Sequence, residues 1–372
     1  MSEADTPGAP DRHSMSAGMG PFAEWQALPG NGPKPKVGVR VTCDFPVMTA
    51  SGAIGILPQY ILSTQIRRCS RISMLWIPIT LLASLAQVLR NGSQASLTSK
   101  IGTLGATQVR FIFGLPFAVL FLIMSLYIFD ESIPEITAAS ISWAFVGAVS
   151  QISATALMLL VMHRRAFGVA YAYIKTEPVV VAIMGSLFFG DQLSALGWAA
   201  VLVVTMGVLV TSIPPRDFDK LLHERAMIAA GVVSGGLFGL SAVAFRAAID
   251  NVSQGGFIVR SILMLTITLF IQTFLLGIWL AWRERTAFSG SLVEWRRSIG
   301  AGFLGALASA CLFCALSLTP AANVRTLALI EMPMAALLSG KLAGKKMLGH
   351  ELAGLLLVAM GLLMLLLGAT MK

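Results

Sequence analysis

From Ile72 onward the chain is a succession of apolar runs separated by short polar breaks. Each run is close to the about 20 residues that an α-helix needs to cross the hydrocarbon core of a bilayer. The runs are Ile72–Leu89, Thr107–Phe129, Ile141–Met162, Ala166–Phe189, Leu193–Ile213, Ala226–Ala248, Phe257–Trp282, Ile299–Thr319, Ala321–Leu342 and Glu351–Thr370. The pattern predicts an all-α, polytopic membrane protein with ten transmembrane helices. Residues 1–71 differ: they are rich in Gly, Pro, Ser and polar residues and hold no sustained apolar period, so a disordered N-terminal segment is expected there. Val47–Leu62 is mildly apolar but short, and it is broken by Pro58 and Gln59, so it is not counted as a span. No basic stretch leads into an apolar run with a small-residue cleavage site, and no secretory signal is expected.

The ten runs divide into two fives, 72–213 and 226–370. Val109-Arg110 opens the second run and Val259-Arg260 opens the seventh. Pro178 in the fourth is followed by Gly190 and Gly207; Pro333 in the ninth is followed by Gly344 and Gly361, the same order with one residue fewer after the proline. Repeated halves are a common way to build a secondary transporter. With five crossings in each half, the second must enter the membrane inverted. Charge agrees with that. Arg90, Lys100, Arg110, Arg164 and Arg165 flank the 1–2 and 3–4 connections, while the 2–3 connection carries Asp130, Glu131 and Glu135. In the second half the basic residues move to the 7–8 connection (Arg283, Arg285, Arg296, Arg297) and the 9–10 connection (Lys341, Lys345, Lys346), and Arg216, Lys220 and Arg225 lie between the halves. The positive-inside tendency then places the odd-numbered loops in the cytoplasm and both ends of the ten-helix body outside. Arg67, Arg68 and Arg71 conflict with this arrangement, and a later start of translation, for instance at Met74, would remove the conflict.

Composition narrows the class. The chain is 56% hydrophobic and 12% charged, with a mean hydropathy of +0.79. A soluble domain carries about 25% charged residues, so this one cannot cover a water-facing surface. The net charge of +9 is spread over the ends of apolar runs and forms no stripe for nucleic acid. No phosphate-binding glycine loop, zinc-protease helix or nucleophile elbow occurs outside the apolar runs. Cys311 and Cys314 have the C-x-x-C spacing but lie in an apolar run without a nearby histidine, so neither a metal nor another cofactor is expected. The longest loop of the body is too short for an ATP-binding domain, which leaves a gradient as the energy source. An enzyme is not expected; the rival is an integral-membrane enzyme or lipid-handling protein, which should cluster His, Asp or Glu at the membrane edge, whereas the four histidines are scattered.

Few polar groups remain for a solute path. Glu177 and Glu331 stand one and two residues before Pro178 and Pro333. An acid at the centre of a transmembrane helix costs about 2.5–3.5 kcal/mol on insertion scales and should face the bundle interior or a wet cavity. Each proline removes a backbone donor and crowds the carbonyl four residues earlier, which frees the carbonyls of Ile174 and Leu329 to line a cavity. Tyr173 lies one turn before Glu177, and Tyr171 one turn before Lys175. Tyr171, Tyr173, Lys175, Glu177, Glu331 and Gln151 are therefore the expected substrate-lining residues. Gln151 and Thr155, one turn apart, serve equally well as helix-to-helix hydrogen-bonding groups. Arg110 and Arg260 read as membrane-edge anchors, Arg90, Asn91 and Gln94 as a polar end to the first span, and Asn323 and Arg325 as boundary markers.

Two fives of spans, with Tyr171-Ala-Tyr-Ile-Lys-Thr-Glu-Pro178 leading through Gly185 to Gly190-Asp191 and then Gly207, resemble the EamA-type drug/metabolite transporters over about Leu75–Ala369. Asp191 stands where that family usually has Glu, Lys345-Lys346 follow Gly344 in the second copy, and the 2–3 connection is acidic where many members are basic. The resemblance implies two inverted five-helix repeats in an inner membrane, alternating access, and transport of small metabolites, amino acids or drugs, with export favoured over import. The partners it implies are the bilayer, a small-molecule substrate and protons, with the protein as monomer or homodimer.

Overall fold

In a computed structural model, residues 74–164, 175–212, 225–293, 295–335 and 349–370 are described. All of them fall in one compact unit, Val41–Lys372, and no strand occurs among them. The N-terminal segment 1–71, with the question of a later start, lies outside the described residues. The helices are α1 (Trp76–Ile112), α2 (Gly114–Phe129), α3 (Ala138–Arg164), α4 (Glu177–Phe189), α5 (Ala195–Ser212), α6 (Arg225–Asp250), α7 (Phe257–Arg283), α8 (Arg285–Val293), α9 (Trp295–Leu316), α10 (Ala321–Ala328) and α11 (Gly349–Thr370). Among the described residues seven helices are long and apolar enough to cross a membrane, within α2 (extended back to Thr107), α3, α5, α6, α7, α9 and α11. Their outward side chains are apolar: Leu120, Ile123, Phe270, Phe274, Leu356 and Leu363 are all exposed. Such a surface suits hydrocarbon and not water.

Four of the ten expected spans differ from separate, continuous crossings. The first and second are joined, because α1 stays helical through Arg90–Ala106, a polar stretch with no proline to stop it. That helix cannot be straight. Twenty residues of straight helix would separate Arg90 from Arg110 by about 30 Å, yet a Cβ on Gly305 of α9 would stand 3.3 Å from Arg90 Cδ and 3.5 Å from Arg110 Cγ. The chain must turn back between the two arginines, so α1 contributes two arms to the bundle.

The fourth and ninth spans are broken just before their prolines. Pro178 does not sit mid-helix: α4 begins at Glu177, after a turn at Lys175–Thr176, with the proline in the first turn where it removes no helical hydrogen bond. In the ninth span, α10 ends at Ala328 and a helical turn resumes at 331–335. Across the break the chain tightens into three-residue hydrogen bonds, Leu329 N–H to Thr326 O (3.2 Å), Ile330 N–H to Leu327 O (3.0 Å) and Met332 N–H to Leu329 O (3.0 Å). The Leu329 carbonyl expected to be free is thus recaptured by Met332. The Ile174 carbonyl lies outside the described residues.

The main packing partners are α5 with α11, α1 with α9, and α3 with α6. In addition α7 packs on α2 and α3, and α4 lies between α6 and α10. The α5–α11 contact is made by backbone. A Cβ on Gly207 would meet Val358 N at 2.7 Å and Gly354 O at 2.8 Å, and one on Gly361 would meet Val204 N at 2.8 Å and Ala200 O at 3.1 Å. Small residues permit that approach, as is general where helices associate within lipid. Between α3 and α6, the Phe245 ring occupies the space over Gly147 and packs on Phe313 with centroids 4.9 Å apart.

Candidate functional site

The interruptions in the fourth and ninth spans carry the charges. Glu177, at the start of α4, is 7% exposed, and its Oε1 lies 3.1 Å from Nε of Arg325 on α10. A carboxylate in the first turn of a helix is also favoured by the helix dipole. Lys175, in the turn just before α4, donates to Oε1 of Glu331, which is itself 9% exposed. Each acid is therefore paired with a base from the other half of the chain. The two pairs cross between the interrupted spans.

The pairs differ in kind. Lys175 and Glu331 are hydrogen bonded. Glu177 and Arg325 are close as charges but not aligned as a hydrogen bond: Glu177 Oε1 and Arg325 Nε and Nη2 are all buried without a hydrogen-bond partner. Buried groups of this sort cost about 1–3 kcal/mol each when nothing satisfies them. They have directional capacity left for something else.

Arg90 and Arg110 complete the polar centre from the two arms of α1. Arg90 is 5% exposed; its Nη2 donates to Asn91 Oδ1 at 2.8 Å, while Nε and Nη1 are buried and unpartnered. Arg90 lies within electrostatic reach of Glu331, and Arg110 within reach of Arg90 and Arg325. Arg110 Nε is likewise buried without a partner. Nearby, Ser84 of α1 donates to the Ala328 carbonyl at the end of α10 at 3.5 Å, tying the arm that bears Arg90 to the interrupted span.

Of the expected lining residues, Lys175, Glu177 and Glu331 come together. Tyr171 and Tyr173 lie outside the described residues. Gln151, on α3, accepts a 2.5 Å hydrogen bond from Gln272 Nε2 on α7, both side chains buried, and Thr155 bonds back to the Gln151 carbonyl at 2.8 Å. Arg325, read from sequence as a boundary marker, proves to be the partner of Glu177. Arg90 and Arg110, read as a polar span end and an edge anchor, reach the same centre. The available signal was the presence of opposite charges in the fourth and ninth spans, each lacking a compensating neighbour one helical turn away.

A second charged cluster involves the Gly190-Asp191 pair. Gly190 adopts φ 64°, a left-handed cap that turns the chain back so that Asp191 N–H reaches the Gly185 carbonyl at 3.1 Å. Arg246 of α6 then donates from Nη1 to both carboxylate oxygens of Asp191 at 2.7 Å, and its Nε lies 3.6 Å from Asp250. Asp250 also feels the charge of Arg260. Cys311 and Cys314 are free thiols, and no group of three metal-ligating side chains occurs among the described residues.

No known family's sequence profile matches the chain, and no curated protein matches it. Its fold is shared. A solved structure described only as "Crystal structure of protein" superposes with a TM-score of 0.59 over 80% of this chain and 98% of that one, at 12% sequence identity. At that identity the likeness speaks for the helical fold alone.

Proposed function

We propose that this protein is a secondary carrier in which two inverted five-helix halves rock about the crossed ion pairs, giving a small solute alternate access to either side of an inner membrane. The observation that carries the reading is the exchange of partners at the two interrupted spans, Glu177 with Arg325 and Lys175 with Glu331. A passive scaffold gains nothing from four charged groups at broken helices inside a bilayer, because such groups are expensive there and mark solute or ion pathways.

Packing supports two related halves. The same spacing separates Gly207 from Gly361, Val204 from Val358, and Ala200 from Gly354, and each member of one set faces the other set across the α5–α11 contact. That spacing also separates Glu177 from Glu331. A two-fold relation between halves would carry the contact of α1 with α9 onto that of α6 with α3, and both are major interfaces. The resemblance to EamA-type transporters agrees with this arrangement and favours export of metabolites, amino acids or drugs.

In the cycle, the two pairs hold the halves together at the centre. A solute or proton that competes for Glu177 loosens the Glu177–Arg325 pair and lets one half tilt against the other. Because the pair is not aligned as a hydrogen bond, Glu177 is where such a competitor would act. Purified protein in proteoliposomes should show gradient-driven counterflow, and Glu177→Gln should abolish it while the protein remains folded. Full counterflow in that variant would remove the proton-coupled carrier.

A further inference from the structure

The polar centre does not balance its charge. Among the described residues it gathers Arg90, Arg110, Arg325 and Lys175 against Glu177 and Glu331. Lys175 engages Glu331, and Arg325 faces Glu177. Arg90 lies within electrostatic reach of Glu331, the partner of Lys175, whereas Arg110 has two cations near it, Arg90 and Arg325. The segments that continue the two interrupted spans, 165–174 and 336–348, contain no Asp or Glu, and the second contains three lysines, Lys341, Lys345 and Lys346. Arginine cannot relieve the excess by giving up a proton.

The other half shows how this chain neutralises a similar pair. Arg246 and Arg260 are the later counterparts of Arg90 and Arg110, and they sit with Asp191 and Asp250. At the spacing that relates Glu177 to Glu331, the position matching Asp191 is Lys345. One arginine pair has its own acids; the other has none of its own among the described residues.

We infer that the centre is the binding site for the anionic group, a carboxylate or a phosphate, of the transported solute. The inference rests on the carrier reading and names its substrate class. Five guanidinium nitrogens are buried there without a hydrogen-bond partner: Arg90 Nε and Nη1, Arg110 Nε, and Arg325 Nε and Nη2. Planar guanidinium groups match the paired oxygens of carboxylates and phosphates better than any other side chain does. Gly305 makes the convergence possible, since a side chain there would crowd the aliphatic stems of both Arg90 and Arg110. Glu177 Oε1, also buried without a hydrogen-bond partner and 3.1 Å from Arg325 Nε, accepts from a hydroxyl or ammonium group on the same solute.

The test uses the full-length protein in a neutral detergent. Thermal unfolding is followed with inorganic phosphate, succinate or glutamate, against choline and glucose, all at one ionic strength set with chloride. Saturable stabilisation by at least one soluble anion is expected, with little effect of choline or glucose. Arg90→Gln should weaken the apparent affinity at least about tenfold, the loss expected when a charge-assisted hydrogen bond is removed, and Arg283→Gln should leave it unchanged. Gly305→Val, which fills the gap between the stems, should weaken it too and serves if Arg90→Gln does not fold. Equal stabilisation of wild type and Arg90→Gln, or stabilisation by choline or glucose alone, overturns the inference. So does stabilisation by added phosphatidylglycerol with none by soluble anions, since the occupant is then a lipid headgroup. Anion binding without flux in proteoliposomes leaves the site standing and removes the carrier; flux of a cation or neutral solute without anion binding does the reverse.

Discussion

Removing Arg325 should cost much less stability than removing Glu177, although the two form one ion pair. At 3.1 Å and an effective dielectric constant near 20, their attraction is about 5 kcal/mol before desolvation. Breaking a buried pair by deleting one member typically costs about 3–5 kcal/mol, because the other charge is stranded. Glu177→Gln meets that condition in full: it strands Arg325 beside Arg110 and Arg90 and adds to an existing excess of positive charge. Arg325→Gln strands Glu177 but also removes a cation that repels Arg110, which offsets part of the loss. We expect about 3–5 kcal/mol for Glu177→Gln and about 1–2 kcal/mol for Arg325→Gln, with the double variant within about 1 kcal/mol of Arg325→Gln. Equilibrium unfolding in mixed micelles of dodecyl maltoside and dodecyl sulfate gives all three values and their coupling. If Arg325→Gln costs as much as Glu177→Gln, the net positive centre is wrong. A coupling below about 0.5 kcal/mol would mean that the two side chains do not interact.

Gly361→Leu should force α5 and α11 apart, because even a Cβ there stands 2.8 Å from a backbone nitrogen; a loss of about 1–3 kcal/mol in the same unfolding assay is expected, and a neutral result would refute the close approach. Gln151→Ala should lower stability by about 0.6–2 kcal/mol through its bond to Gln272 and leave solute affinity unchanged, so a selective loss of affinity would return Gln151 to the solute path. Reporter domains fused after Ser212 and after Thr370 should lie on opposite faces of the membrane. Both on one face would break the odd number of crossings per half.

The membrane class and most of the element positions were legible in the amino-acid sequence. Apolar length is a local sum, and the bilayer reads it directly: a run of about 20 apolar residues has few other stable fates than a membrane-spanning or fully buried helix. Among the described residues, seven helices long enough to cross therefore fall where hydropathy put them. Both prolines were correctly singled out as places where the backbone is perturbed. What they do there was not: Pro178 opens a helix, and the chain before Pro333 winds tighter and reuses the carbonyl that the proline releases. A proline's effect depends on which neighbouring groups can take up the lost bond, and that is decided by packing.

The charged centre belongs to the tertiary structure. Glu177 and Glu331 attract attention in sequence because acids are rare inside apolar runs, but their partners cannot be read there. Arg325 looks like a span boundary and Arg90 like a polar helix end until the turn within α1 and the contact of α4 with α10 bring them together. Hydropathy records how each segment partitions between water and lipid, one segment at a time. Charge pairing depends on distances of a few ångströms between residues far apart along the chain. Only the packed bundle sets those distances, so sequence determined which segments are long and apolar enough to cross a membrane, and tertiary structure decided which of the buried charges meet.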